Sequence, residues 1–469
     1  MMYLHSMHFT VIPVKYFYEI HGAYIHIYCN SIISWLFLFF FKIPLVIILP
    51  VVAIMEIKKG GDMNIIFIHQ NFPGQFRHLA AYCASSPKNR VIGICQSRAP
   101  GIRDKQFASV LKSVYRPHRT PSRKIHPYML NVEKQILNGQ GVARALLDLR
   151  KKGFKPDIAF AHIGWGEALY FKDIFPDVPL IGYGEFYYHG EGTDLGFDPE
   201  FPVNIDDRMR VRTWNATQLV SLASIDACVS PTKWQKSLYP SEFHQKIRVI
   251  HEGIDTEHVK PNLHQSLTLS DGTTLTRDME VITYTARGLE PYRGFHIFMR
   301  AVEELCRRRP KCHIVITGGD EVRYGKRLPG GMSYRKKLLK EVTIDPARVH
   351  FMGLVPYETH LKILQVSSAH VYLTIPFVLS WSMLEAMAAE CVIIGSATPP
   401  VKEFIEDGRN GLLCDFFSPQ QIADRVDEIL DHPDRMRYLG QAARRDIVEQ
   451  YEVRDKLAEY QALYQSLVG

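Results

Sequence analysis

From Met63 onward the chain repeats one pattern. Short apolar runs end in turn residues, and amphipathic stretches lie between them. A brief run with no polar alternation predicts a strand covered on both faces, as in a parallel sheet. In the first half the predicted strands are 64–69 (NIIFIH), 91–95, 156–162, 179–185, 225–230 and 247–253. Helical periodicity covers 76–83 and 130–151. The stretch 261–278 is polar and strandless, which predicts a linker or an edge hairpin. A second alternation follows, with strands at 281–286, 312–319, 348–353, 369–374 and 391–395, and helices at 419–430, 435–449 and 453–467. The predicted fold class is therefore α/β, with two Rossmann-like doubly wound domains facing a central cleft. They span 63–260 and 281–450, joined by a linker at 261–280, and 451–469 is a closing helix that packs back on the first domain. Ligands of such sheets bind outside the carboxyl ends of the strands, so the cleft is the expected site.

Residues 1–62 break the pattern. Ile32–Met55 is almost wholly apolar and long enough to span a bilayer, but Lys42, Pro44 and Pro50 interrupt it. No small-residue cleavage site follows it. Gly60-Gly61-Asp62 can be encoded by a strong bacterial ribosome-binding sequence directly before Met63. The expectation is that translation starts at Met63 and that 1–62 is an over-extended reading frame, a membrane anchor being the alternative. A second irregular stretch lies between 100 and 127 and is basic and punctuated by proline, as in YRPHRTPSRKIHP (115–127). It predicts a mobile loop, with a membrane-facing or acceptor-phosphate role as the sharper reading.

Composition narrows the class. The chain is 46% hydrophobic and 22% charged, as a globular enzyme is, with a net charge of +7. Without the four lysines and three acidic groups of 1–62 it stays basic at +6. This suits an anionic substrate or a membrane surface and requires neither. The eight cysteines are dispersed and form no Cys-x-x-Cys, which favours reduced thiols in a cytoplasmic protein over a zinc site. Neither the dinucleotide-binding glycine pattern nor a Walker pattern occurs.

Candidate chemistry lies at the ends of the predicted strands. In TARGLEPYRGF, Arg287 and Arg293 flank a turn into a helix; helix N–H groups and forked guanidiniums favour a dianion there. Either arginine could instead pair with Glu290. Gly318 and Gly319 form a close-approach turn after the next strand. Glu385 stands at the front of a helix amid Leu, Met and Ala, where a carboxylate can grip a ribose diol. Downstream, the backbone N–H groups of Thr398–Val401, including the Pro400–Val401 turn, are placed to approach a phosphate or sugar.

These motifs carry a resemblance. ARGLEPYRGF, ITGGDE, RVHFMGLVPYETHLKIL, LEAMAAECVIIGS and PVKEFIEDGRNGLL resemble, in order and spacing, the donor-binding domain of bacterial retaining family-4 glycosyltransferases of GT-B architecture. MNIIFIHQNFPGQFRHLA, PDIAFAHIGWGEA and VIHEGIDTEHVKP resemble their first half. The resemblance implies donor-diphosphate binding by Arg287 and Arg293, with Gly74 approaching the same group. It implies ribose binding by Glu385, the second acid of a Glu-x7-Glu pair, and a reaction-centre role for His162. The first acid of that pair falls at Phe377 and is absent, which leaves the grip on the transferred sugar unassigned.

The implied function is transfer of a sugar from a nucleotide-diphosphate sugar to a glycan or lipid-linked acceptor with retention of configuration, in polysaccharide assembly at the cytoplasmic face of the inner membrane. His162, Arg287 and Arg293 are the expected catalytic groups. No Asp-x-Asp triplet occurs, so no metal or other cofactor is expected, and no nucleic-acid partner. Two alternatives remain: an epimerase or hydrolase acting on the same donor class, and a nucleotide-sugar-binding protein without turnover, which Phe377 prompts.

Overall fold

In the computed structural model the described residues are the backbone of 16–20 and 23–27, and residues 62–468. Two units separate along the chain, 1–59 and 60–469. In the first, strands β1 (Tyr16–Ile20) and β2 (Ala23–Ile27) pair antiparallel. The rest of 1–62, where the start-site expectation falls, lies outside the described residues except for Asp62. Among the described residues no helix is long and apolar enough to cross a membrane.

The second unit contains two parallel sheets. One is built from β3 (Asn64–Ile68), β4 (Arg90–Gln96), β5 (Leu111–Tyr115), β6 (Ile158–His162), β7 (Leu180–Tyr183), β8 (Ala227–Ser230) and β9 (Ile247–Val249). Its order is β5-β4-β3-β6-β7-β8-β9. After the hairpin β10 (Ser266–Thr268) and β11 (Thr274–Thr276), the other sheet comprises β12 (Val281–Gly288), β13 (His313–Gly319), β14 (Val349–Gly353), β15 (Ala369–Tyr372), β16 (Ile393–Ser396) and β17 (Leu412–Cys414). Its order is β14-β13-β12-β15-β16-β17. Each sheet reverses its winding once, between β3 and β6 and between β12 and β15. Those reversals open a crevice at the carboxyl edge.

The central strands are apolar because helices cover both faces. Ile66, Ile68, Ile92 and Ile94 are buried on one side of the first sheet, and Ile65, Phe67 and Phe160 on the other. Each contributes about 1.5–3 kcal/mol over an exposed side chain. Phe67 and Phe160 stack at 5.0 Å across β3 and β6. In the second sheet Ile282, Tyr284, Ile314 and Ile316 pack on the helix Phe295–Arg308.

Two regions differ from the sequence-based reading. The stretch before residue 116 supplies an edge strand, β5, and the basic loop behind it is tied down: Arg119 and the Ser122 amide both bond Glu133, at 2.6 and 2.7 Å. β17 has no counterpart among the predicted strands.

The closing helix Val453–Val468 lies against the first sheet's helix Arg77–Ser85, burying Tyr460 and Tyr464, and Tyr82 donates to Gln461 at 2.8 Å. The chain thus passes between the sheets twice. The two passages bond each other, Ile254 N–H to Tyr451 O at 2.8 Å and Val453 N–H to Ile254 O at 2.9 Å. Away from this crossing, Glu403 of the second domain accepts the Lys233 and Trp234 amides of the first at 2.7 and 2.8 Å, where the helix Lys233–Ser237 begins. A carboxylate is favoured by the free N–H groups of a helix start.

Candidate functional site

The two carboxyl edges face each other. Phe186, beyond β7, packs on Phe377 at 4.9 Å. Tyr292 donates to Asp194 at 2.8 Å, and Trp381 Nε1 to Glu252 Oε2 at 3.2 Å.

On the first edge, the ends of β3, β6 and β7 build a polar chain. His162 ends β6. Its Nδ1 accepts the Gly164 amide at 3.0 Å, so its Nε2 carries the proton and donates to Glu185 at 3.3 Å. Trp165 stacks on the ring at 3.8 Å. His69, just past β3, is held in the same tautomer: Nδ1 accepts the Asn71 amide at 3.0 Å and Nε2 donates to Gln75 at 2.7 Å. Gln75 in turn donates to Glu185. Burial, then the neighbouring His162, lowers His69 to about 3, so it is neutral near pH 7. Burial would raise Glu185, but its hydrogen bonds, that from His162 foremost, hold it below the ordinary carboxylate range. The His162 side chain is 2% exposed and that of Glu185 is 23%. The group that meets the cleft is therefore the carboxylate, and His162 orients it. Gly74 crosses this cluster with φ +51°; a Cβ there would stand 2.2 Å from the His69 ring. The loop can fold over the imidazole only because that position is glycine.

Glu167 lies just behind, fully buried, accepting the Tyr115 hydroxyl at 2.5 Å. Burial pushes its carboxyl up to about 8. In the unfolded chain it ionises near 4.5, so its stabilising contribution is complete below that value and is lost as pH rises toward 8. Glu167→Gln should therefore gain thermal midpoint over the wild type progressively from pH 5 to pH 8. A constant difference across that range would show an ordinary carboxylate.

On the second edge Arg293 and Arg287 stand in different surroundings. Arg293 is 6% exposed. Its Nη1 donates to Thr374 Oγ1 at 2.8 Å and to the Tyr372 hydroxyl at 3.3 Å, at the end of β15. Its guanidinium lies over Tyr324 and Phe377, 5.7 and 6.0 Å from the ring centres. Among the described residues it makes no ion pair. Glu290, the alternative partner, accepts the Arg323, Tyr324 and Gly325 amides instead, at 2.9, 3.2 and 2.7 Å. Arg287 is exposed at the end of β12, so the expected matched pair is one buried guanidinium and one solvated one. Gly318 and Gly319 end β13, where β12 and β13 approach: a Cβ on Gly318 would meet Ala286 O at 2.7 Å. Their role visible here is backbone packing.

Glu385 lies in the second turn of the helix Trp381–Ala388, not at its front. Its oxygens accept the Tyr357 hydroxyl at 2.9 Å and His360 Nε2 at 3.0 Å. Its side chain is 13% exposed, so a diol would share or displace these donors. The reading of Thr398–Val401 as an amide donor turn is corrected. Pro399 and Pro400 have no N–H, Val401 N–H bonds Thr398 O at 3.1 Å, and Thr398 N–H bonds Ser396 O at 2.7 Å. Val401 is fully buried.

Phe377, at the position of the absent acid, is buried against Phe186, Tyr292 and Tyr324. Sequence reasoning missed His69, Gln75, Glu185 and Asp194. His69 and Glu185 close predicted strands, and that placement was the available signal. Beside His162 lies a cavity of about 190 Å³, lined by Trp165, Trp214, Tyr188, Gln70, Asn131 and Lys134 among others. A larger hollow of about 710 Å³ runs along β9 and the closing helix and holds none of these groups.

Comparison with known proteins agrees with this architecture. The family description "Glycosyl transferase family 4 group" matches residues 87–259, and "Glycosyl transferases group 1" matches 271–446. The N-acetyl-alpha-D-glucosaminyl L-malate synthase of Bacillus anthracis is 27% identical over 128 residues, which is 27% of this chain and 33% of that protein. The chain spans 31% to 50% of the length of the curated relatives it matches. Among solved structures, sucrose-phosphate synthase from Thermosynechococcus elongatus superposes with a TM-score of 0.63 at 15% identity, covering 86% of this chain and 99% of that one. Anabaena Alr3699/HepE, solved in complex with UDP-glucose, gives 0.61 at 14% identity, covering 86% and 100%. The fold is GT-B, and with both of its halves matched the chain belongs to the family-4 glycosyltransferases.

Proposed function

We propose that this protein transfers a glycosyl group from a nucleotide-diphosphate sugar to a hydroxyl of a glycan or lipid-linked acceptor, with retention of configuration. The observation that carries the reading is Arg293, a buried guanidinium without a counter-ion at the winding reversal of the second sheet. A buried charge calls for an anion, and a diphosphate supplies one. As the anomeric C1–O bond breaks, negative charge grows on the β-phosphate beside Arg293, with Arg287 at the solvent side. The acceptor oxygen bonds C1 on the same face and its proton passes to the departing phosphate oxygen. Positive charge on the sugar meets the ionised Glu185 across the cleft. Fixed charges placed where charge develops lower the barrier without reorganisation. Glu385 holds the ribose, exchanging the Tyr357 or His360 donor for a diol. No step in this scheme calls for a metal.

The cavity beside His162 suits a saccharide acceptor: indole and phenol rings stack on a pyranose, and Asn131, Lys134 and Gln70 offer donors to its hydroxyls. The basic surface fits work at an anionic membrane face. The second reading, a binder without turnover, rests on Phe377, which puts an aromatic ring where the Glu-x7-Glu resemblance implies an acid.

A panel of nucleotide sugars tests the proposal. A subset should raise the thermal midpoint, and the same compounds should release free nucleotide diphosphate only with a saccharide acceptor present. Free sugar or an epimer formed without acceptor would favour a hydrolase or epimerase. A midpoint rise with no turnover over a broad acceptor panel would favour the binder.

A further inference from the structure

The segment from Gly184 to Asn204, between β7 and the helix Ile205–Trp214, leaves the first sheet and straps the second domain. Phe197 stacks on Phe417 at 5.1 Å, and Phe201 meets His296 at 5.7 Å. At the strap's far end Asp198 and Glu200 converge on His296, the second residue of the helix Phe295–Arg308. His296 Nε2 stands 2.8 Å from Asp198 Oδ2 and 3.9 Å from Glu200 Oε1. One ligand atom from each residue lies within 4.8 Å of the other two.

Two features set this cluster apart from a surface ion pair. First, His296 is 2% exposed and its Nδ1 has no hydrogen-bond partner among the described residues, while its Nε2 and the buried Asp198 Oδ2 have only each other. Second, the carboxylates are held from behind. Asp198 Oδ1 accepts the Glu200 amide at 2.9 Å. Glu200 Oε2 accepts Arg300 Nη2 at 3.0 Å, and Arg300 also binds Glu341. Outer partners that aim a ligand's free lone pair are the usual second layer of a metal centre. Arg300 also touches Glu200 Oε1, so an ion would share that oxygen with it or take it over. Glu200 is exposed, which leaves a path in from solvent.

We propose that Asp198, Glu200 and His296 bind one divalent first-row transition ion, of zinc type, which clips the strap to the helix that follows Arg293. One imidazole and two carboxylates suit zinc, with water as the fourth ligand. The ion is structural: it joins a segment of the first domain to the second, at the turn that carries Arg293. The clip stands apart from the transfer reaction and does not depend on it.

The test uses the full chain without a histidine tag, stripped with EDTA and titrated with zinc sulfate by calorimetry and by thermal midpoint. One zinc per chain and a raised midpoint are expected. Asp198→Asn and His296→Gln should each weaken binding at least about tenfold and remove the rise. Cobalt(II) is a second readout on the wild type alone, should a variant fail to fold: a visible band of low-symmetry cobalt is expected, displaced by one equivalent of zinc. Equal zinc binding by wild type and Asp198→Asn, or no binding by the wild type at millimolar zinc, overturns the site and leaves a plain ion pair.

Discussion

Arg293→Met should abolish the thermal shift produced by nucleotide-diphosphate ligands and lower transfer by roughly 10²–10³-fold or more, as loss of one fixed transition-state donor does. The apoprotein should be no less stable than the wild type. Arg293 is buried and has no carboxylate partner among the described residues; its guanidinium meets the Thr374 and Tyr372 hydroxyls and two aromatic rings. Removing an uncompensated buried cation in favour of an apolar side chain of similar length is often neutral or stabilising. The two freed hydroxyls limit the gain, because each loses one donor. Loss of the ligand shift with an unchanged apo midpoint separates a binding role from a structural one. Arg293→Lys keeps the charge and loses the fork, and it should recover only part of the shift. A full ligand shift in Arg293→Met would remove the diphosphate from this edge of the sheet, and with it the proposed reaction.

The second large effect belongs to the opposite edge. Glu185→Gln should lower kcat by about 10²-fold or more, with the donor KM little changed. The substitution keeps the shape but offers one acceptor oxygen where the carboxylate gives Oε1 to Gln75 and Oε2 to His162 Nε2, so one link of the His69–Gln75–Glu185–His162 chain is lost with the charge. The negative charge facing the developing positive charge of the sugar is lost, and the remaining oxygen still holds one of the two donors. His162→Ala should act in the same direction by another route, freeing the carboxylate to rotate and removing the bond foremost in holding its pKa down. The acid limb of the wild-type rate profile then lies below the ordinary carboxylate range, and in His162→Ala it moves upward. An unmoved acid limb would show that the histidine does not govern this carboxylate. Unchanged kcat in Glu185→Gln would place the chemistry elsewhere in the cleft.

The core of both sheets was legible because strands covered on two faces must be apolar throughout. Asn64–Ile68, Ile158–His162 and Ala369–Tyr372 announce themselves in that way. β5 did not, because it is an edge strand: Leu111 and Val114 are about half exposed, and its polar positions read as part of a basic loop. Three-residue β17 carries too little pattern to stand out after Gly411.

The sequence by itself determined two doubly wound domains and the strand ends where chemistry belongs, since periodicity and burial are local consequences of covering a parallel sheet. It also marked Arg293, His162 and Glu385 by type and position. Only the tertiary structure decided their states. Whether an arginine is buried without a counter-ion, whether an imidazole faces a substrate or aims a carboxylate, and whether an acid is free or held by Tyr357 and His360 depend on side chains far apart in the chain. The strap carrying Asp194, Asp198 and Glu200 makes the same point: without a regular pattern along the chain, it gains its partners only when the second domain is folded beneath it.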